Sequence, residues 1–134
     1  MTPADQAANE LRSHLRVLAL PLGRVGRESG DVHRSIQARL CELGEDLGYL
    51  VWPEYPIEDL GYVDVVFKRA RAPLTDPAVH AFEIDYNPKR KSIEKLLWFS
   101  PETTTWIVVF SSNPRPVTIR RVPRRIRIFV VPRA

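Results

Sequence analysis

The spacing of apolar residues separates an N-terminal helical part of the chain from a part rich in strands. Residues 4–18 carry apolar side chains three and four positions apart, and residues 31–46 repeat that spacing before a glycine at position 48. This 3.6-residue period predicts two amphipathic helices, and glycine is a favourable residue just past a helix end. A glycine-containing, basic segment between them predicts a flexible connector.

From residue 49 onward, short segments of apolar and β-branched residues predict five strands. The expected strands are residues 49–56, 62–68, 79–86, 104–111 and 126–132. Asn87 and Pro88 follow the third of them and predict the cap and first turn of a helix that continues to about Phe99. Pro53 favours an edge position for the first strand, whereas the apolar fourth strand is expected to be internal.

This order of elements predicts an α/β fold with an α-β-β-β-α-β core. Three strands in a meander, followed by a helical crossover, imply a mixed sheet of about five strands flanked by helices. With 134 residues, of which 44% are hydrophobic, the chain is expected to form one domain. It divides into an N-terminal helix and connector (1–27), a core (28–111) and an Arg/Pro-rich tail that ends in a strand (112–134).

Composition excludes several classes of protein. A single cysteine, Cys41, cannot build a disulfide framework or a Cys-rich zinc site. No apolar run is long enough to span a membrane. The first residues are not typical of a signal peptide either. We therefore expect a cytoplasmic protein without a membrane partner.

Three carboxylates fall at alternating positions of two neighbouring strands. Asp64 alternates with Val63 and Val65, which are expected to share the opposite face, and Glu83 and Asp85 share one face of the next strand. If the apolar faces of both strands lie on the core, the three acids converge and repel each other unless a cation lies between them. Such oxygen-rich groups suit Mg²⁺ or Mn²⁺. The alternative is a solvated sheet face, although acids are depleted in strands.

The pattern Gly-Tyr-Val-Asp-Val-Val-Phe, then Ala-Phe-Glu-Ile-Asp and a basic helix, resembles the PD-(D/E)XK (restriction-endonuclease-like) nuclease superfamily across residues 28–111. The resemblance implies metal-dependent hydrolysis of nucleic-acid phosphodiesters, with DNA favoured. It places Asp64 at the motif's aspartate and Glu83 at its first acid, both as metal ligands. Asp85 stands where the family usually has lysine. Some members carry an acid there and use it as a ligand or base.

Other members supply the lysine from the neighbouring helix. Here that helix offers Lys91 and Lys95, one turn apart, and Lys95 is slightly favoured as the catalytic residue. An ordinary solvated helix face is the alternative for either lysine. The family often adds an acid from its first core helix, and Glu28 is the corresponding choice as a metal ligand. His33 and Gln37 lie one turn apart beside the same helix face, and His33 is interpreted as structural.

Positive charge is concentrated in the tail. The formal net charge is +4, and no acidic residue follows Glu102. The arginines predicted to bind nucleic acid are Arg115, Arg120, Arg121, Arg124, Arg125 and Arg127. Guanidinium groups suit phosphate oxygens, so the tail is expected to hold a nucleic-acid backbone. A solubilising edge strand would explain the same charges.

The favoured hypothesis is therefore a Mg²⁺-dependent endonuclease that acts on DNA. One alternative is a non-catalytic nucleic-acid-binding module, since the motif's lysine is missing. Another is an interaction subunit of a larger DNA-processing complex. The sequence leaves the oligomeric state open, including a homodimer.

Overall fold

A computed structural model of the chain describes residues 2–19, 29–111 and 113–132. Its elements are α1 (Pro3–Arg12), a 3₁₀ helix (His14–Leu18), α2 (Ser29–Asp46), β1 (Tyr49–Ile57), β2 (Gly61–Arg69), β3 (His80–Asp85), α3 (Arg90–Leu97), β4 (Thr104–Val109), α4 (Pro116–Arg120) and β5 (Ile126–Val130). The predicted α/β fold with a mixed, five-stranded sheet flanked by helices is confirmed.

The strands follow one another in space in the order β1-β2-β3-β4-β5. The first three are antiparallel, and β3, β4 and β5 are parallel. The crossover between β3 and β4 contains α3, as parallel neighbours require. β1 lies at an edge, as Pro53 indicated, and β4 is internal between β3 and β5.

Both faces of the sheet are covered, which explains why β3 and β4 are buried along their whole length. On one face, α1, the 3₁₀ helix and α2 pack over Phe67, Phe82 and Trp106. On the other, Leu96 of α3 packs with Ile107 in a second, mainly aliphatic core. Each such fully buried side chain contributes about 1.5–3 kcal/mol relative to exposure.

Glycine at position 44 brings α2 close to the sheet. A Cβ atom there would lie 2.5 Å from the Phe67 ring and 2.6 Å from a methyl group of Val51, closer than real contacts allow. Any larger residue would push α2 outward. The helix therefore approaches β1 and β2 closely enough for its polar side chains to reach them.

Several boundaries differ from the prediction, and one short helix was not expected. The helix expected at 4–18 ends at Arg12 and continues as a 3₁₀ turn, which keeps Leu11, Leu15 and Leu18 buried. The tail contains a short additional helix, α4, which begins at Pro116; proline is favourable in a first helical turn. The strands at 104–111 and 126–132 end two residues earlier than expected.

The predicted cap of α3 is wrong. Its N-cap residue is Lys89, whose own side chain makes no capping hydrogen bond. The start of the helix is instead bound by Asp85 at the end of β3. Asp85 Oδ2 accepts from the Lys89 amide (3.2 Å), and Oδ1 accepts from Ser92 Oγ (3.0 Å). Asn87 instead accepts the backbone N–H of Arg115 (3.1 Å). An ionisable acceptor two residues upstream thus replaces the local Asn cap.

The strands β2 and β3 stay together for only part of their length. Their pairing runs from Phe67↔His80 to Val65↔Phe82 and stops there, although β2 remains paired with β1 as far as Gly61. Asp64 is the first residue of β2 beyond this point. We call the place where β2 leaves β3 the fork.

The fork also reverses the face that β2 presents. Val65 belongs to the core under α2, whereas Val63 belongs to the core under α3, so the prediction that both share one face is wrong. The change occurs at Asp64, which has lost its β3 neighbour. Across the β1–β2 ladder, Glu54 adopts a φ of 50°, a left-handed conformation that is uncommon outside glycine.

None of the helices in the described part of the chain combines the length and the apolar character that crossing a membrane requires.

Candidate active site at the fork

Asp64 is held at the fork by groups from two different layers. Its Oδ2 accepts the backbone N–H of Ile84 (2.7 Å) and lies 3.2 Å from Nε2 of His33 on α2. Burial alone would raise the pKa of Asp64, but the hydrogen bonds from His33 and Ile84 outweigh it and lower that pKa. Asp64 is therefore an oriented carboxylate, ionised at neutral pH.

Glu83 lies deeper and has partners on both sides. Its Oε2 accepts the backbone N–H of Asp64 (2.9 Å), and its Oε1 lies 3.2 Å from Lys95 Nζ. Burial and the adjacent Asp64 carboxylate raise the pKa of Glu83 to about 7, against the opposing effects of the Asp64 amide and Lys95. The fork thus contains two neighbouring acids whose negative charges are incompletely balanced.

The structure brings one of the two predicted lysines to these acids. Lys95, in the last turn of α3, is only 18% exposed and points its ammonium group at Glu83. Lys91, one turn earlier, is exposed. Leu96 of the same helix is fully buried against the sheet, which fixes the rotation of α3 and thereby the direction of Lys95.

Asp85 has other contacts. Both of its oxygens accept hydrogen bonds at the start of α3, from Ser92 Oγ and the Lys89 amide. Burial raises the pKa of Asp85, although these two hydrogen bonds oppose the shift. Within the described residues, no three His, Cys, Asp or Glu side chains form a group that could hold a metal ion. The expected convergence of Asp85 with Asp64 and Glu83 on one cation is therefore not seen in this arrangement.

The helix α2 supports the fork from the other face of the sheet. Gln37 Nε2 donates to the backbone oxygen of Asp64 (2.9 Å) and to Glu54 Oε1 (2.9 Å), so one amide joins β1 to β2. The hydrogen bond to Asp64 raises the pKa of His33 despite its partial burial. His33, interpreted from the sequence as structural, thus contacts the acidic site directly.

Glu54 is a residue near the site that sequence reasoning missed. As one of several exposed acids it carried no signal, and only its unusual φ and its contact with Gln37 single it out. His33 and Gln37 could be found from their spacing of four residues on one helix. Glu28, the predicted acid from the first core helix, lies outside the described residues.

The six predicted nucleic-acid-binding arginines divide into two groups. Arg125 donates through Nη2 to the backbone oxygen of Phe99, and Arg127 forms an ion pair with Asp5 of α1. These two arginines are half-buried and hold β5 against the rest of the fold. The four that remain exposed are Arg115, Arg120, Arg121 and Arg124.

No protein-family model, no curated protein and no solved structure matches this chain. The resemblance to the PD-(D/E)XK superfamily therefore stays a prediction, carried by the residues at the fork and by the order of the elements.

Proposed function

We propose that this chain is a divalent-metal-dependent nuclease that hydrolyses nucleic-acid phosphodiesters, with DNA as the favoured substrate. One observation carries the proposal. The buried Glu83 lies between a second carboxylate, Asp64, and an ammonium group, Lys95. Two acids for a cation and one positive group for a phosphoryl oxygen are the parts that metal-assisted phosphodiester hydrolysis needs.

The donor set fits Mg²⁺ or Mn²⁺. Mg²⁺ is commonly bound through one or two carboxylates, with water and substrate phosphate oxygens completing its octahedron. Asp64 and Glu83 would supply those two carboxylates. Burial and the Asp64 carboxylate raise the pKa of Glu83, and a nearby cation would oppose both by stabilising the ionised carboxylate. When bound, the ion would polarise the phosphoryl group and lower the pKa of an attacking water.

The protein's own groups would position the substrate and stabilise developing charge. Lys95 is held close to the fork by Glu83, so its ammonium group can donate to a phosphoryl oxygen without a large rearrangement. The Ile84 amide and His33 keep the Asp64 carboxylate in one orientation. Gln37 fixes the backbone of the same residue. Hydrogen bonds of this kind hold the reacting groups of a site in the geometry that the chemistry requires.

A second candidate function is nucleic-acid binding without turnover. It is favoured by the contacts of Asp85, which stands at the position of the motif's lysine and caps α3 instead. In this candidate, Lys95 only neutralises Glu83, and the four exposed tail arginines bind the phosphate backbone. Backbone contacts of that kind give binding that weakens steeply with salt.

Incubation with single-stranded, double-stranded and branched DNA, and with RNA, in Mg²⁺ or Mn²⁺ separates these functions. A nuclease cleaves at least one substrate, and Glu83→Gln abolishes that cleavage, whereas Glu102→Gln, an exposed acid outside the fork, does not. Binding without cleavage would select the non-catalytic module. Neither binding nor cleavage would favour an interaction subunit of a larger DNA-processing complex.

A further inference from the structure

A cleft lies between α3 and α4, on the side of the sheet that carries Leu96. It has a volume of about 290 Å³ and is lined by Pro88, Arg90, Ile93, Thr118 and Arg121. Ligand sites in proteins start at roughly 300 Å³, so this space suits one small group rather than an extended ligand.

The floor and the rim of the cleft differ in character. Pro88 is buried and Ile93 is partly buried, so they present apolar surface, while the Arg90 and Arg121 side chains are exposed at the rim. Guanidinium planes stack on nucleobases and also pair with phosphate oxygens. Thr118 Oγ1 donates to the Arg115 carbonyl (2.8 Å), which leaves its oxygen able to accept from a ligand.

The charges around the cleft favour a polyanion. Exposed cations border it on both helices, and Glu94, which lies 3.4 Å from Arg90, is the acid among the α3 residues. The further exposed cations are Lys89, Lys91, Arg115 and Arg120. A cationic ligand would be repelled by this surface and a neutral one would contact only its floor, whereas a nucleotide can use both the apolar floor and the charged rim.

The cleft and the fork share one helix. α3 contributes Arg90 and Ile93 to the cleft and Lys95 to Glu83 at the fork. Arg90 and Lys95 are separated by roughly 7.5 Å along the helix axis and about 140° around it. A strand with one nucleotide seated in the cleft would have to follow α3 to bring a nearby phosphodiester to Lys95 and Glu83. A base can enter such a cleft only when it is unstacked, which single strands allow at little cost.

We propose that the α3–α4 cleft holds one unstacked nucleotide of a single-stranded nucleic acid, next to the phosphodiester at the fork. The inference rests on the proposed nucleic-acid function and adds the preference for a single strand. It assigns Arg90 and Arg121 to the bound nucleotide, and it leaves Arg120 and Arg124 to general backbone contacts.

The test is binding without cleavage, measured by fluorescence anisotropy in EDTA with a short labelled oligothymidylate and with its oligodeoxyadenylate duplex. The double variant Arg90→Ser/Arg121→Ser should weaken single-strand binding about tenfold or more, because it removes stacking and charge together. It should also lower the salt slope by about 1.4 for two lost contacts. The matched control is Arg16→Ser/Arg39→Ser, exposed arginines on the opposite side of the sheet, which should bind the single strand like the parent.

A second pair of variants fills the cleft without changing its charge. Thr118→Trp should weaken single-strand binding about tenfold and leave duplex binding unchanged. Val117→Trp adds the same side chain at the adjacent exposed position and should change neither single-strand binding nor duplex binding. If Thr118→Trp fails to fold, the exposed arginine pair still decides the question.

Two results would overturn the inference. One is a parent that binds the duplex as tightly as the single strand. The other is an arginine variant that loses single-strand and duplex binding equally, which would indicate a phosphate surface only. The cleavage assay in Mn²⁺ is independent of these results. If the protein shows the expected binding pattern but does not cleave, the nuclease proposal is refuted and the cleft inference stands. If it cleaves without that binding pattern, the cleft inference is refuted and the nuclease proposal stands.

Discussion

Three titratable side chains are buried in β3, and two of them, His80 and Glu83, differ in what surrounds them. His80, at the start of the strand, is fully buried among aromatic rings. Its Nδ1 accepts from Trp106 Nε1 (3.0 Å), and its Nε2 has no hydrogen-bond partner among the described residues. The planes of the Tyr49 and Phe67 rings are nearly perpendicular to the His80 ring. Glu83, by contrast, is surrounded by the Asp64 amide, the Asp64 carboxylate and Lys95.

The pKa shifts of His80 and Glu83 have different physical causes. Burial alone lowers the pKa of His80 to about 3, so this ring stays neutral at every physiological pH. For Glu83, burial and a neighbouring charge raise the pKa to about 7 while other groups oppose the shift. Burial by itself therefore does not indicate a site. Competing charged partners around one buried group do, and for this reason the proposed function is assigned to the fork.

The largest expected effect is the loss of metal binding at the fork. Glu83→Ala and Asp64→Ala should each weaken Mn²⁺ binding more than about 100-fold by calorimetric titration, since even groups that only orient a ligand cost 10–100-fold. Cleavage should fall about 10³-fold, equivalent to the several kcal/mol that a metal supplies. His80→Phe, at the other end of the same strand, should retain both. Unchanged Mn²⁺ affinity in both acid variants would end the metal hypothesis.

Lys95→Ala should lower turnover by about 10²–10³-fold and leave Mn²⁺ affinity nearly intact, because a positioned donor acts on the developing charge rather than on the ion. Steady-state cleavage at saturating metal measures turnover, and cleavage at subsaturating metal reports the affinity for Mn²⁺. Lys91→Ala is the matched control on the same helix and should cleave at the parental rate. Equal activity of both variants and the parent would remove lysine from the mechanism.

The buried histidine predicts a pH effect on stability rather than on activity. The ordinary pKa of histidine is 6.5, and that of His80 in the folded protein is about 3. Between these values the unfolded chain binds a proton that the folded chain cannot. The contribution of His80 to the free energy of unfolding therefore falls by about 2 kcal/mol from pH 7 to pH 5.

Urea unfolding of the parent and of His80→Phe at both pH values isolates this contribution. Glu83 and His33, whose folded-state pKa values are raised, change stability in the opposite direction, and their effects cancel in the comparison. On acidification from pH 7 to pH 5, the free energy of unfolding of the parent should fall by about 2 kcal/mol more than that of the variant. If the free energy of unfolding depends on pH in the same way in both proteins, His80 binds a proton as readily in the folded chain as in the unfolded one, and the prediction is wrong.

The smallest expected effect concerns Asp85. If its main role is to cap α3, Asp85→Ala should lower the free energy of unfolding by about 1 kcal/mol. Asp85→Asn keeps an oxygen for the Lys89 amide and should lose less than half as much. Both variants should bind Mn²⁺ better than Glu83→Ala does. A loss of Mn²⁺ affinity in Asp85→Asn as large as that in Glu83→Ala would restore Asp85 as a third ligand.

Periodicity predicted most of the fold because it reports burial along single elements. The alternation in β2 and β3, the apolar β4 and the crossover helix together determine a mixed sheet. Local chemistry was less reliable. Asn87 looked like the cap of α3, but Asp85 supplies the oxygen from the preceding strand. Arg125 and Arg127 looked like solvent-exposed charges, but one binds the Phe99 carbonyl and the other pairs with Asp5.

The sequence by itself determined which residues could carry chemistry: three acids on neighbouring strands, and two lysines on the helix that follows. The tertiary structure alone decided how they meet. Strand alternation assumes that β2 and β3 stay paired, and they separate at Asp64, where Val63 changes face and the Ile84 amide binds the carboxylate. The rotation of α3, set by Leu96 against the sheet, then directs Lys95 to Glu83. Both results depend on packing between distant segments, which no local pattern encodes.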